Sequence, residues 1–362
     1  MKRTLLLVVA GMVAACSPDA TTTSPDPAAA AAAAAKHDPK DATKEFALTA
    51  LVSDVHRYHG NVLDHNLVNP WGLAFNPSGI LWVANNGSGK ATLYNEQGAV
   101  QSLVVTVPGA GGTTGVPTGM VFNATTDFVI PSSTAAKFII AGEDGTIAAW
   151  SGGTSAVIVA DRSAMGTVYK GIAIAANGGA NQLYLSDFHN GKIDVFDASY
   201  HFVSSFTDPQ IPATFGPFGI HAIDGKLWVT FAKKLAPDNH DDQPGLGNGY
   251  VDVFNPDGTL AQRFAAQGTL NSPWGVVVAP GSFGGFAGDV LVGNFGDGHI
   301  GAYDMSSGAF EGFLRGDNHQ TLEIDGLWDM TFGPESGAST LFFSAGPDGE
   351  SHGVLGTLTK GQ

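Results

Sequence analysis

Six side chains at one recurrent position could meet in a single site: Trp71, Thr118, Lys170, Phe218, Trp274 and Asp325. Each stands directly ahead of a glycine, in Pro70-Trp71-Gly72, Pro117-Thr118-Gly119, Tyr169-Lys170-Gly171, Pro217-Phe218-Gly219, Pro273-Trp274-Gly275 and Ile324-Asp325-Gly326. A carboxylate flanked by two indoles and opposed by an ammonium suits a sugar ring or a cationic ligand, through stacking, hydrogen bonding and cation–π attraction. The same side chains could instead pack as a plug, with Lys170 and Asp325 balancing charge, and both readings stand.

A second group lies in the segment 233–249, where Asp238, His240, Asp241 and Asp242 offer donors to Ca²⁺ or another divalent cation. Their order lacks the alternating ligands and distant Glu of an EF-hand. Long loops inside compact repeats tend to carry function, so a lid over a binding mouth is the rival reading. His56, His59 and His65, near Asp54 and Asp64, could ligate a metal only if their segment folded back, and they read as exposed loop residues. Gly87-Ser88-Gly89-Lys90 is a hairpin turn, because Ala84 and Ala91 stand where a phosphate loop needs Gly and Ser or Thr. Cys16, the single cysteine, falls in the leader, which removes a Cys nucleophile. His221 and Asp329 fall in expected strands and read as buried polar contacts between neighbouring repeats.

What must position these residues is a repeat with a period of roughly fifty residues. Each copy opens with an apolar run after the glycine, such as Leu73-Ala74-Phe75 or Val276-Val277-Val278, and continues with a second, such as Leu81-Trp82-Val83 or Val290-Leu291-Val292. A third run alternates, as in Lys192-Ile193-Asp194-Val195-Phe196, and a fourth is more polar, as in His201-Phe202-Val203-Ser204-Ser205-Phe206. β-Branched and aromatic residues bounded by Gly, Asn and Asp predict strands and turns. Six copies of a four-stranded antiparallel unit predict an all-β, six-bladed propeller over 45–360. The last copy lacks an outer strand, and Glu45 to Val52 otherwise has no place, so pairing the two chain ends is expected to close the ring.

In such a meander the approach to the first strand and the loop joining the second to the third emerge on one face. The latter loops contribute Asn85-Asn86-Gly87, Glu143-Asp144-Gly145, Asp187 to Gly191, Asn294 to Gly298 and Asp348 to His352. Taken one at a time these are turn residues, and together they make the face acidic.

Lys2 and Arg3, the apolar run from Leu5 and the small residues before Cys16 form an export signal over 1–15. Val13-Ala14-Ala15-Cys16 resembles a lipobox, which implies cleavage before Cys16 and its acylation; Ser17 after it points to the outer rather than the inner membrane. Residues 16–44, rich in Ala, Pro and Thr, are expected to form a disordered tether. A formal net charge of −16 argues against nucleic acid as a partner, leaving contact with a membrane to the lipid anchor. The mature protein is expected to be a monomer.

The opening phrase Pro-x-Gly-aliphatic resembles the NHL-repeat class of six-bladed propellers. Asn69-Pro70-Trp71-Gly72-Leu73-Ala74, Tyr169-Lys170-Gly171-Ile172-Ala173, Val292-Gly293-Asn294-Phe295-Gly296-Asp297-Gly298-His299-Ile300 and Ala345-Gly346-Pro347-Asp348-Gly349-Glu350-Ser351-His352-Gly353 resemble, in order, a family of exported bacterial propellers associated with PEP-CTERM sorting. That resemblance implies the fold over about 46–358 and carries over no activity. Gluconolactonase-like propellers hold an axial divalent cation with Glu, Asn and Asp; Asp325 matches one ligand, and no residue ahead of a glycine supplies the Asn. Three functions therefore compete: a binding propeller for a glycan, small molecule or protein, a divalent-metal-dependent hydrolase or lyase, and a structural envelope scaffold.

Overall fold

A computed structural model describes residues 45–334 and 339–361. The leader, Cys16 and the tether fall outside the described residues.

Strands form wherever β-branched and aromatic residues alternate between glycine-rich turns, and they assemble into six sheets arranged as blades, antiparallel apart from short parallel pairings of Glu45–Ser53 with Val62–Leu63 and Arg315–Gly316. Five blades are continuous in sequence, with inner strands Pro70–Phe75, Pro117–Phe122, Tyr169–Asn177, Phe215–Ile223 and Pro273–Val278. The sixth joins Leu327–Phe332, Thr340–Ala345 and Val354–Lys360 to Glu45–Ser53 from the other end of the chain. The closing pair runs antiparallel from Phe46 opposite Lys360 to Ser53 opposite Val354, as the strand inventory demands.

A period of two along each strand sends successive side chains to opposite neighbours. In the third blade Leu183 and Leu185 pack toward the second blade, while Tyr184 packs toward the fourth. In the fifth, Val290 and Val292 face the fourth blade and Leu291 faces the sixth. The apolar core is accordingly divided among the blade junctions, with one further cluster on the axis.

Every inner strand breaks its ladder near its start, between Pro70 and Leu73 in the first blade and between Pro273 and Val276 in the fifth. The glycine inside this break lies against the next blade. A Cβ on Gly72 would stand 2.6 Å from the Met120 nitrogen, and one on Gly219 2.1 Å from the Trp274 oxygen. Such approaches bring neighbouring inner strands together and leave no room for a side chain at these positions.

The sixth blade departs from that rule and corrects the sequence register. Its break falls between Leu327 and Met330, so Leu327 corresponds to Pro70, Trp328 to Trp71, and Asp329 to the glycine. Gly326 has φ +70 and belongs to the turn before the strand. The Ile-Asp-Gly phrase imitates the repeat three residues early, because its turn glycine is the same letter as a packing glycine.

Candidate functional site

The register shift exchanges the residue on the axis. Trp328 occupies the position expected for Asp325, whereas Asp325 is exposed and accepts the Asp348 backbone N–H at 2.9 Å. Lys170 and Asp325 therefore do not face each other across a mouth.

The other residues ahead of the glycines are buried. Trp71, Phe218, Trp274 and Trp328 join Phe188 in one axial cluster, with Phe295 against it. Trp71 and Trp328 stack with ring centroids 3.4 Å apart, and Trp274 meets Trp328 edge-on at 6.1 Å. Trp274 Nε1 donates to the Lys170 carbonyl at 3.2 Å and Trp328 Nε1 to Asn69 Oδ1 at 3.1 Å. Thr118 is pinned between blades, its hydroxyl donating to the Tyr169 carbonyl at 2.9 Å. The aromatic residues close the axis and offer no open stacking face, so of the two packing readings the plug is the one found.

Lys170 is different. Its side chain is 2% exposed, yet its ammonium meets the Glu143 carboxylate and lies 3.4 Å from Asp241 Oδ1. Below it lie the faces of Trp71, with Nζ 5.2 Å from the ring centroid, and Phe188. Burial lowers the affinity of this amine for its proton; Glu143, Asp241 and Asp242 more than offset that, and the net shift is upward. Lys170 is a fixed internal cation.

Around it the second-to-third-strand loops form a basin. Asn86 Nδ2 donates to Glu143 Oε2 at 2.7 Å, and Asn69 Nδ2 donates to Glu350 Oε2 at 2.7 Å. Glu350 and Asn69 both hold positive φ, of 66° and 46°, which Asn tolerates far better than Glu. Burial raises the Glu350 carboxyl pKa, against the hydrogen bond from Asn69. His240 Nδ1 lies 2.9 Å from Asp241 Oδ1; this contact raises the imidazole pKa and holds the Asp241 carboxyl down at about 2. Asp242 is buried, which raises its pKa, and its Oδ2 has no hydrogen-bond partner.

Ligand atoms of Glu143, His240 and Asp241 lie within 4.8 Å of one another, close enough to share a cation. Two of these three carboxylate or imidazole donors already contact Lys170, which would compete with a metal. Of the loop residues suggested by sequence, His240 and Asp241 reach Glu143, Asp241 also reaches Lys170, Asp242 is buried, and Asp238 is exposed. His65, His352 and Asp54 form a separate side cluster, with His352 Nδ1 2.8 Å from Asp54 Oδ2 and His65 Nδ1 2.8 Å from the Asp54 carbonyl.

Glu143 and Glu350 were legible only as turn residues. The available signal is their type: turns favour Asp, Asn and Gly, so a glutamate in two equivalent loops asks for another reason. A lysine ahead of a packing glycine asks for the carboxylates that neutralise it.

On the opposite side of the plug the axis opens into a cavity of about 490 Å³, walled by the inner strands of all six blades. Asp329 and His221 line it. Asp329 Oδ2 accepts the Leu73 N–H of the first blade at 2.8 Å, the blade-to-blade contact expected from sequence, and Oδ1 accepts the Met330 N–H. Burial raises its pKa to about 7. His221 lies edge-on to Trp274, and burial lowers its pKa to about 4.

No protein-family model matches the chain. Among solved structures it is similar to a catalytically inactive virginiamycin B lyase from Staphylococcus aureus with quinupristin, at 16% identity and a TM-score of 0.51, covering 80% of each chain. It is likewise similar to a gluconolactonase from Xanthomonas campestris, at 15% identity and a TM-score of 0.51 over 81% of this chain and 88% of that one. At such identities the likeness is one of fold. Two proteins of Acanthamoeba polyphaga mimivirus, described as uncharacterized protein R648 and uncharacterized protein L690, are each 32% identical to it. The matches cover 90% of this chain, with 82% of the first and 88% of the second. The chain is a six-bladed β-propeller and belongs to one family with these two mimivirus proteins.

Proposed function

We propose that this protein is an exported propeller, anchored through Cys16, that binds a small, hydrogen-bonding ligand such as a glycan unit in the basin over Lys170. The observation that carries the reading is the buried Lys170 ammonium, held by Glu143 from the second blade and Asp241 from the fourth-blade loop. Burying a charge and ringing it with side chains from several blades is costly to maintain for packing alone. With the aromatic faces closed, recognition falls to the polar rim: Asn86, Glu143, His240, Asp241 and Glu350. These groups supply acceptors and donors in the mixture that hydroxyl-rich molecules match. The similar lyase and gluconolactonase propellers support a small-molecule site on such a fold.

The test is calorimetric titration of the purified protein with neutral monosaccharides, hexosamines and uronic acids, repeated on Glu143→Gln and Glu350→Gln. Binding of one class, weakened at least tenfold by either substitution, supports the reading; a wild-type protein that binds none of the three contradicts it.

A second reading, metal-dependent hydrolysis or elimination, is favoured by the proximity of Glu143, His240 and Asp241. It requires Ca²⁺, Mg²⁺ or Mn²⁺ to raise the melting temperature and Glu143→Gln to abolish that rise. Radiolabelled palmitate incorporation that disappears in Cys16→Ala tests the anchor.

A further inference from the structure

We infer that the cavity on the far side of the aromatic plug is a second binding site, for a protonated amine carrying an apolar body. The basin and this cavity share the ring axis but are separated by Trp71, Trp274 and Trp328, so a ligand of one does not touch the other.

The wall decides the ligand's body. Leu73, Met120, Ile172, Ile220 and Val276 line the chamber along with their strand neighbours, and its volume of about 490 Å³ falls in the range of small-molecule pockets. Its titratable lining groups are His221 and Asp329. His221 is uncharged at neutral pH, since burial, set against a hydrogen bond to the Trp274 backbone, brings its pKa to about 4.

The floor decides the ligand's head. Asp329 is 5% exposed and stands where the other five blades place a glycine, so a carboxylate that also lines the cavity projects where the other inner-strand junctions carry no side chain. Its two oxygens receive one N–H each, from Leu73 and Met330, and each oxygen keeps a further lone pair. Among the described residues no lysine, arginine or histidine forms an ion pair with it. A buried carboxylate with hydrogen bonds but no counter-charge is satisfied electrostatically by a cation, and in a chamber whose lining side chains other than His221, Asp329 and Thr331 are apolar, an ammonium bearing a hydrocarbon group fits both demands.

Burial draws the Asp329 pKa up to about 7, against the hydrogen bonds from Leu73 and Met330. Binding of an ammonium favours the ionised carboxylate, so amine affinity should rise as pH rises through that value. Asp329 faces Leu73 of the first blade and Ser344 of its own second strand, whose hydroxyl accepts the Asp329 N–H; neither neighbour titrates in this range.

The experiment is calorimetric titration with 2-phenylethylamine and its uncharged counterpart 2-phenylethanol. At pH 8 the amine is expected to bind about tenfold or more tighter than the alcohol, and to lose that advantage at pH 5.5. Asp329→Asn should equalise the two ligands, while Asp325→Ala, at an exposed position outside the cavity lining, should leave the preference intact. Equal binding of amine and alcohol to the wild type at pH 8, or a preference that persists in Asp329→Asn, overturns the proposal. Should Asp329→Asn not fold, a wild-type amine preference that is the same at pH 5.5 and pH 8 also overturns it. Sugar binding to the basin is scored separately, so either site can fail alone.

Discussion

Asp329 of the last blade accepts the backbone N–H of Leu73 in the first at 2.8 Å, so a carboxyl group on an inner strand fastens the junction beside which the two chain ends meet. Its carboxylate occupies the place of a glycine, and its burial drives its proton affinity upward.

Stability should therefore depend on Asp329 in a definite direction. The folded-state pKa, about 7, lies above the value of about 3.9 expected in the unfolded chain. The folded state binds the proton more tightly, so this group's favourable contribution is complete below pH 4 and is lost as pH rises to about 7. Denaturation of wild type and Asp329→Asn at pH 5 and pH 8 should show the variant gaining about 1–3 kcal/mol relative to wild type at the higher pH. Parallel pH profiles would show that Asp329 does not titrate between the two.

Lys170 and Glu143 should behave as a coupled pair. Lys170→Met leaves Glu143 and Asp241 without their cation and should destabilise the protein by about 3 kcal/mol, much of it the cost of an unpaired carboxylate. Adding Glu143→Gln should recover a part of that loss. A double-mutant cycle from urea unfolding measures the coupling, and additive single effects would mean that the two side chains act independently.

Trp328 and Asp325 separate the two possible registers of the sixth blade. Trp328→Ala removes the ring stacked on Trp71 and Phe295 and should cost about 3–5 kcal/mol. Asp325→Ala, at an exposed position, should stay within about 0.5 kcal/mol of wild type. Thermal unfolding of both variants decides the matter, and the reverse order would restore Asp325 to the axis.

Gly219 tests the packing of the centre. A methyl group there would stand 2.1 Å from the Trp274 oxygen, a backbone atom that cannot swing aside. Gly219→Ala should cost about 1–3 kcal/mol or more, whereas Gly281→Ala, with nothing within 4 Å, should change the melting temperature little.

The architecture was legible because it is periodic. Apolar runs, turn residues and a leftover strand at Glu45 determine blade number and closure before any side chain is placed, and the six sheets and the pairing of Phe46 with Lys360 agree with them. The site was legible in part. Lys170, Trp71, His240 and Asp241 do converge, because the loops that carry them share a face. Asp325 misled because a turn glycine and a packing glycine are the same letter, and only the ladder break between Leu327 and Met330 tells them apart. Glu143 and Glu350 were hidden by the opposite ambiguity, since their neighbours Asp144 and Asp348 suit turns in their own right. The closed state of the tryptophans could not be read from composition, because stacking depends on distances that no repeat period encodes.

Pairing of Glu45–Ser53 with Val354–Lys360 also sets a schedule. During synthesis the first strand has only the short segment Val62–Leu63 to pair with until the end of the chain emerges, so the sixth blade assembles only after nearly the whole chain is present. Contacts of such sequence separation are slow to form, and the unfinished ring presents an open strand edge at each end in the interval. A chain of this design gains from being kept extended until its final segment is free, after which the two ends zip together in one late step.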